Sequence, residues 1–193
     1  TVASMETDDI AHIESTGPTM VGELITDPDV IGSEITEFSF WLYCYGGGGD
    51  ISNCTGSSGT FDLVVADAGG TVQHVFLDDA PISGLVYTAS GGLIDGQKVT
   101  GSSGSYVFQS GDRIAVRVES LPSGYTIEIR QKDATSYSYA GGVRSLWSGS
   151  WTNADAKDIK FELKHLAEGT ILANKAGGID QVVMTQELVN PIF

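Results

Sequence analysis

Residues 107–131 read VFQSGDRIAVRVESLPSGYTIEIRQ, and this stretch decides the fold class. Apolar Ile114 and Val116 alternate with polar residues, and Ile127 and Ile129 repeat the alternation after a Pro-Ser-Gly turn signal. Because successive side chains of a strand point to opposite faces, each half predicts a strand with one face in a core and one in water. The short spacing predicts that the two strands pair as a β-hairpin.

Strand patterns recur along the rest of the chain, separated by turns rich in Gly, Asp and Ser. Residues 61–67 and 71–77 form a second candidate hairpin, and residues 158–165 alternate with Ile159 and Phe161 on the inner face. Turn signals roughly every eight to twelve residues are typical of a sandwich or a barrel. The sequence therefore predicts an all-β protein, an antiparallel β-sandwich.

The sandwich is expected to span residues 34–168, with an extended arm on either side. Residues 1–33 carry acids, Gly-Pro and Asp-Pro steps and a small apolar group, which predicts an arm with at most a short strand. Residues 169–193 are apolar without turn-bounded alternation, which predicts a second arm. This tail is too apolar to remain in water, so it docks either on its own domain or on a neighbour.

Charge and hydropathy exclude two classes of partner. The 193 residues include 25 acidic and 10 basic ones, for a net charge of -15, and a field of this sign repels the phosphates of nucleic acid. No apolar run approaches the roughly 20 residues of a membrane-spanning helix, so we expect no membrane insertion.

Signatures of catalysis and cofactor binding are missing from the sequence. It contains no nucleophile elbow, phosphate-binding loop or zinc-protease motif, and His12, His74 and His165 are far apart. Asp78 and Asp79 could offer oxygens to a loop-bound cation, but without the spacing of a calcium loop they fit solvated acids better. We therefore predict no catalytic residue, no metal and no cofactor.

Cys44 and Cys54 frame a run of four glycines. A hairpin loop could bring the two cysteines within reach of a disulfide, whereas a reducing compartment would leave two free thiols. The sequence leaves both alternatives open.

Two groups of aromatic residues are candidates for binding. Residues 38–45 are aromatic on both strand faces, so Trp41, Tyr43 and Tyr45 either contact another subunit or lie under a loop of the same chain. Trp147 and Trp151 follow Gly- and Ser-rich stretches, where flat rings could stack on sugars or could fill a core or an interface.

A resemblance to a known group rests on three segments. The aromatic strand 38–45, the strand 61–66 and the entry Gly111-Asp112-Arg113 make residues 35–132 resemble C1q/TNF-type and related jelly-roll domains of phage head-decoration and tail-fibre proteins. The resemblance implies a jelly-roll-like sandwich, trimers or other symmetric contacts, and no catalytic residues. The glycine loop and the tail depart from compact members of that group.

The expected function is that of a structural virion protein, a capsid decoration or minor capsid component on the virion surface. Its expected partners are further copies of itself and a capsid or other protein lattice. The alternatives are a carbohydrate-binding or adhesive module that uses Trp147 and Trp151, and a strand-donating filament subunit, both at an extracellular or cell-surface location. The predicted interface residues are Trp41, Tyr43, Tyr45, Val189, Ile192 and Phe193.

Overall fold

The chain is almost entirely β-structure. The computed structural model describes residues 10–46, 54, 57–85, 88–90, 93–133, 142–154, 157–165, 170–175 and 178–183. Strands make up 62% of the chain and the described residues contain no α-helix, which confirms the all-β prediction. The helical element among them is a 3₁₀ turn at Ile82–Gly84.

Seventeen strands follow one another along the described part of the chain. In order they are β1 (Ile10–Glu14), β2 (Met20–Ile25), β3 (Glu34–Tyr45), β4 (Thr60–Ala66), β5 (Val72–Pro81), β6 (Thr88–Ser90), β7 (Leu93–Asp95), β8 (Gln97–Gly101), β9 (Tyr106–Val107), β10 (Arg113–Ser120), β11 (Thr126–Asp133), β12 (Gly142–Trp147), β13 (Trp151–Ala154), β14 (Lys157–Ile159), β15 (Phe161–His165), β16 (Thr170–Lys175) and β17 (Gly178–Val183).

Two antiparallel sheets pack as a sandwich, which confirms the predicted architecture. The six-stranded sheet has the order β13-β12-β2-β10-β4-β5. The nine-stranded sheet follows β1-β11-β3-β15-β16-β17, with β8 and β9 also paired to β3 and β14 paired to β11. Strands β6 and β7 form a separate pair. The more specific jelly-roll topology stays a prediction.

The hydrophobic core lies between the two sheets. Phe38, Phe40 and Leu42 of β3 enter it from the nine-stranded sheet, and Phe61 and Leu63 of β4 enter it from the six-stranded sheet. Each of these side chains is at most 1% exposed. Residues two positions apart share a face of a strand, so the side chains of the residues between them point to the outer face of the sheet.

The two strands of residues 107–131 form, but they do not pair with each other. Strand β10 pairs with β2 and β4, whereas β11 pairs with β1 and β3 in the opposite sheet. The predicted β-hairpin is therefore wrong, and residues 121–125 cross between the sheets. The physical reason is that Ile114 of β10 and Ile127 of β11 face the same core from opposite sides.

The other two strand predictions hold. Strands β4 and β5 pair antiparallel, which confirms the second hairpin. Residues 158–165 are extended with Ile159 and Phe161 in the core, but the strand is interrupted at Lys160. As a result β14 pairs with β11 while β15 pairs with β3.

The segment assigned to an N-terminal arm contributes two strands to the sandwich. Strand β1 pairs with β11, and β2 lies between β12 and β10 in the middle of the six-stranded sheet. Val21 and Ile25 are buried in the core, which a separate arm would leave in water. Gly22 permits the close approach of β10, because a Cβ there would lie 2.7 Å from the Cβ of Ala115.

The segment assigned to a C-terminal arm also contains strands. Strand β16 pairs with β15, and β17 pairs with β16, so both extend the nine-stranded sheet. The apolar end of the chain, residues 184–193, lies outside the described residues.

Candidate functional site

Trp41 lies on the outer face of the nine-stranded sheet. Its neighbours in β3, Phe40 and Leu42, are in the core, so the alternation of the strand places the indole on the opposite side. The Nζ of Lys160 lies 4.2 Å from the ring centroid, and the Nζ of Lys98 lies 5.6 Å from it. An exposed ammonium at such a distance stabilises the pair by about 0.5–1 kcal/mol. The two lysines therefore help to hold the ring in place.

Ion pairs surround this tryptophan on the same face. Lys98 forms an ion pair with Glu162, and the Nζ of Lys164 lies 2.7 Å from Oε1 of Glu37. These four side chains remain accessible to water, and exposed pairs contribute only about 0.2–1 kcal/mol each. We call this surface the lysine face, and its residues are Glu37, Trp41, Lys98, Lys160, Glu162 and Lys164.

Tyr43, a predicted interface residue, is buried by the chain itself. Its side chain is 1% exposed and lies outside the core cluster between the sheets. This burial favours the alternative of a strand covered by its own chain, since a side chain without accessible surface offers a partner no contact area. The side chain of Tyr45 and the residues Val189, Ile192 and Phe193 lie outside the part of the chain that the structure describes.

Trp147 and Trp151 meet on the outer face of the six-stranded sheet. They are opposite each other in the pair β12–β13, and their ring centroids lie 5.3 Å apart. A second, smaller apolar cluster lies beneath them, although an outer sheet face is normally polar. Its buried members are Met20, Val64, Ala66 and Ala115.

Both indoles already have partners within the chain. The Nε1 of Trp151 donates a hydrogen bond to the carbonyl oxygen of Asp67 at 2.9 Å, and the guanidinium carbon of Arg113 lies 4.7 Å from its ring centroid. The ring of Trp147 packs on Gly70, where a Cβ would overlap its atoms. These contacts favour the packing alternative for the two tryptophans, and sugar stacking stays a prediction.

A buried carboxyl group and a phenol form a polar cluster beside Arg113. Oδ2 of Asp112 accepts hydrogen bonds from the hydroxyl of Tyr106 at 2.9 Å and from the backbone N–H of Gln109 at 2.8 Å. Burial raises the pKa of Asp112, and burial with the Asp112 hydrogen bond raises the pKa of Tyr106 to about 12. Burial also lowers the pKa of Arg113. The sequence predicted only a strand entry here.

Asp78 and Asp79 lie on β5, the last strand of the six-stranded sheet. The backbone N–H of Asp79 donates to Oδ1 of buried Asp62 at 2.8 Å, and Nε of Arg117 donates to Oδ2 of Asp62 at 2.9 Å. No group of three or more metal-ligating side chains occurs among the described residues. The three histidines, His12, His74 and His165, lie on β1, β5 and β15.

Cys44 and Cys54 form a disulfide, with their Cα atoms 5.9 Å apart. Of the two alternatives that the sequence left open, a disulfide or two free thiols, the structure therefore has the disulfide. Both cysteines are buried, and the bond ties the end of β3 to the segment before β4. Disulfides persist in oxidising surroundings such as the outside of a cell or a particle.

No protein-family model, no curated protein and no solved structure matches this chain. Within the described ranges, no helix has the length and apolar character needed to cross a bilayer. The resemblance to jelly-roll virion proteins therefore stays an expectation, and the function is argued from the geometry of the two outer faces.

Proposed function

We propose that this protein is a non-enzymatic structural component of a virion surface, a capsid decoration or minor capsid protein, that assembles with copies of itself and with a protein lattice. The observation that carries the proposal is the position of Trp41. This large ring lies on an outer sheet face, away from the core, with lysines around it.

The lysine face combines one large aromatic side chain with charged side chains around it. Binding energy at interfaces concentrates in a few large aromatic or Arg side chains, and a rim of polar residues around them excludes water. Trp41 would be the central residue, and Lys98, Lys160 and Lys164 would form the rim.

Two further features support the proposal. The disulfide between Cys44 and Cys54 suits a protein that works outside a reducing cytosol. Val189, Ile192 and Phe193 follow β17, the last strand in the order of the nine-stranded sheet. A strand at the end of a sheet presents open backbone groups with which a neighbouring chain can pair.

Trp41→Ala tests the proposal. Truncating a central aromatic residue costs about 2 kcal/mol or more, so we expect the dissociation constant of self-association to rise by roughly 30-fold. Sedimentation velocity over a range of concentrations measures this constant, and circular dichroism checks that the fold is kept. Val107→Ala is the control, because it shortens a side chain that is 47% exposed outside the lysine face.

Two results would contradict this function. One is a wild-type chain that stays monomeric at every concentration. The other is a folded Trp41→Ala variant that assembles as tightly as the wild type.

A further inference from the structure

The lysines are concentrated on one of the two sheets, whereas Arg113, Arg117 and Arg144 lie on strands of the other. The chain has a net charge of -15, yet all six of its lysines belong to strands of the nine-stranded sheet or to the link between two of them. They are Lys98 of β8, Lys132 of β11, Lys157 of β14, Lys164 of β15, Lys175 of β16 and Lys160 between β14 and β15.

The opposite sheet ends in an acidic strand. Asp78 and Asp79, which we call the acidic edge, are both exposed on β5. The charge of Asp62 beneath them is compensated by Nη2 of Arg117 at 2.7 Å. By contrast, neither Asp78 nor Asp79 forms an ion pair with another described residue. A hydrogen bond from the N–H of Asp79 to Oδ1 of Asp62 links this edge to β4.

We propose that the lysine face of one copy docks on the acidic edge of a second copy. The inference rests on the proposed function, since it names the partner surface for Trp41. Lys98 and Lys160 would meet the carboxylates of Asp78 and Asp79, and Trp41 would be buried between them. Complementary charge of this kind selects the partner and fixes its orientation.

A contact between the lysine face and the acidic edge is heterologous, because it joins two different surfaces of the two copies. Repeated contacts of this type close into a ring or continue as an open chain.

A pair of complementary variants tests the contact. Lys98→Gln/Lys160→Gln removes two charges of the lysine face, and Asp78→Asn/Asp79→Asn removes both charges of the acidic edge. Asparagine suits position 79, because φ is 50° there and Asn tolerates the left-handed region. Asp27→Asn/Asp29→Asn is the matched control, since it removes two acidic charges elsewhere.

We expect each of the first two variants alone to self-associate at least tenfold more weakly than the wild type in sedimentation experiments at low salt. An equimolar mixture should form a 1:1 complex and nothing larger, because each variant keeps one of the two surfaces intact. The control should assemble like the wild type. Raising the salt from about 0.1 M to about 1 M shortens the screening length from about 10 Å to about 3 Å, so it should weaken wild-type assembly.

Two outcomes overturn the contact. One is an Asp78→Asn/Asp79→Asn variant that assembles like the wild type, and the other is a mixture that associates no more tightly than its components. If either occurs while Trp41→Ala still weakens self-association, the assignment of the partner surface fails and the proposed function stands. If Trp41→Ala has no effect, both fail.

Discussion

Gly70 is the residue that leaves room for the ring of Trp147 beside the turn between β4 and β5. Its φ of 77° is in the left-handed region, which glycine adopts without steric cost. A Cβ at this position would lie 2.5 Å from Cε2 of the Trp147 ring and closer still to two other ring atoms. The packing of the two tryptophans therefore depends on a turn residue that belongs to neither of their strands.

Gly70→Ala should lower the free energy of unfolding by about 1–3 kcal/mol, because it combines backbone strain with a clash against the ring. Gly149→Ala is the matched control, since Gly149 has a φ of 87° but a Cβ added there would meet no atom within 4 Å. Urea unfolding should show the larger loss for Gly70→Ala. Equal losses for the two variants would contradict the packing of Trp147 on Gly70.

Deprotonation of Tyr106 should lower the free energy of unfolding at alkaline pH. Its pKa is raised from 10.0 to about 12, so the folded state holds the phenolic proton more tightly than the unfolded state does. The resulting stabilisation is complete below about pH 10 and is lost as the pH rises through about 12. Tyr106→Phe should flatten this part of the stability curve in urea unfolding from about pH 9 to 11.5.

Tyr125→Phe serves as the control for Tyr106, because it removes a partly buried phenol outside the Asp112 cluster. We expect it to keep the alkaline loss of stability seen in the wild type. An identical loss in Tyr106→Phe would show that titration of the Tyr106 phenol does not produce the effect.

At the level of strands, periodicity decides which face of a strand is buried but not which strand lies beside it. The alternation around Ile114, Ile127 and Phe161 predicted the buried faces of β10, β11 and β15 correctly. It did not predict that β10 and β11 lie in opposite sheets. Two strands that each bury one face can be joined either as a hairpin within one sheet or by a connection that crosses to the other sheet. Strand β2 was missed as a central strand because Gly22 and Glu23 interrupt its apolar pattern.

The disulfide at the end of β3 should stabilise the fold by shortening the loop that the unfolded chain must close. For a sequence separation of 10, the loop-entropy relation gives about 2–3 kcal/mol. Reduction of the wild type should therefore lower its free energy of unfolding by this amount in urea titrations. Cys44→Ala/Cys54→Ala is the control and should not respond to the reductant. A reduced wild type as stable as the oxidised one would contradict this role.

At the scale of the whole molecule, the outer face of one sheet carries Trp41 with lysines around it, and the outer face of the other carries a packed apolar cluster. The sequence predicted only part of this difference. Trp41 was singled out from the aromatic strand, and the structure places it on an outer face, while its role as an interface residue stays a prediction. The cover of Trp151 by Arg113 was not predicted, because strand alternation placed Arg113 in solvent, whereas it is 6% exposed. The sequence of a single strand shows only that residues alternate. It does not show whether the polar face meets water or, as on the six-stranded sheet, lies beside apolar residues of neighbouring strands.

The central position of β2 has a consequence for synthesis on the ribosome. Val21 of β2 pairs with Val116 of β10, a residue made about 95 positions later. At the usual 5–20 residues per second, β2 waits roughly 5–20 s for this neighbour after it has been translated. During that time its backbone donors and acceptors are open to wrong partners, including the same strand on a nearby ribosome. The Gly and Glu within β2 make it a poor template for such pairing and so protect the nascent chain.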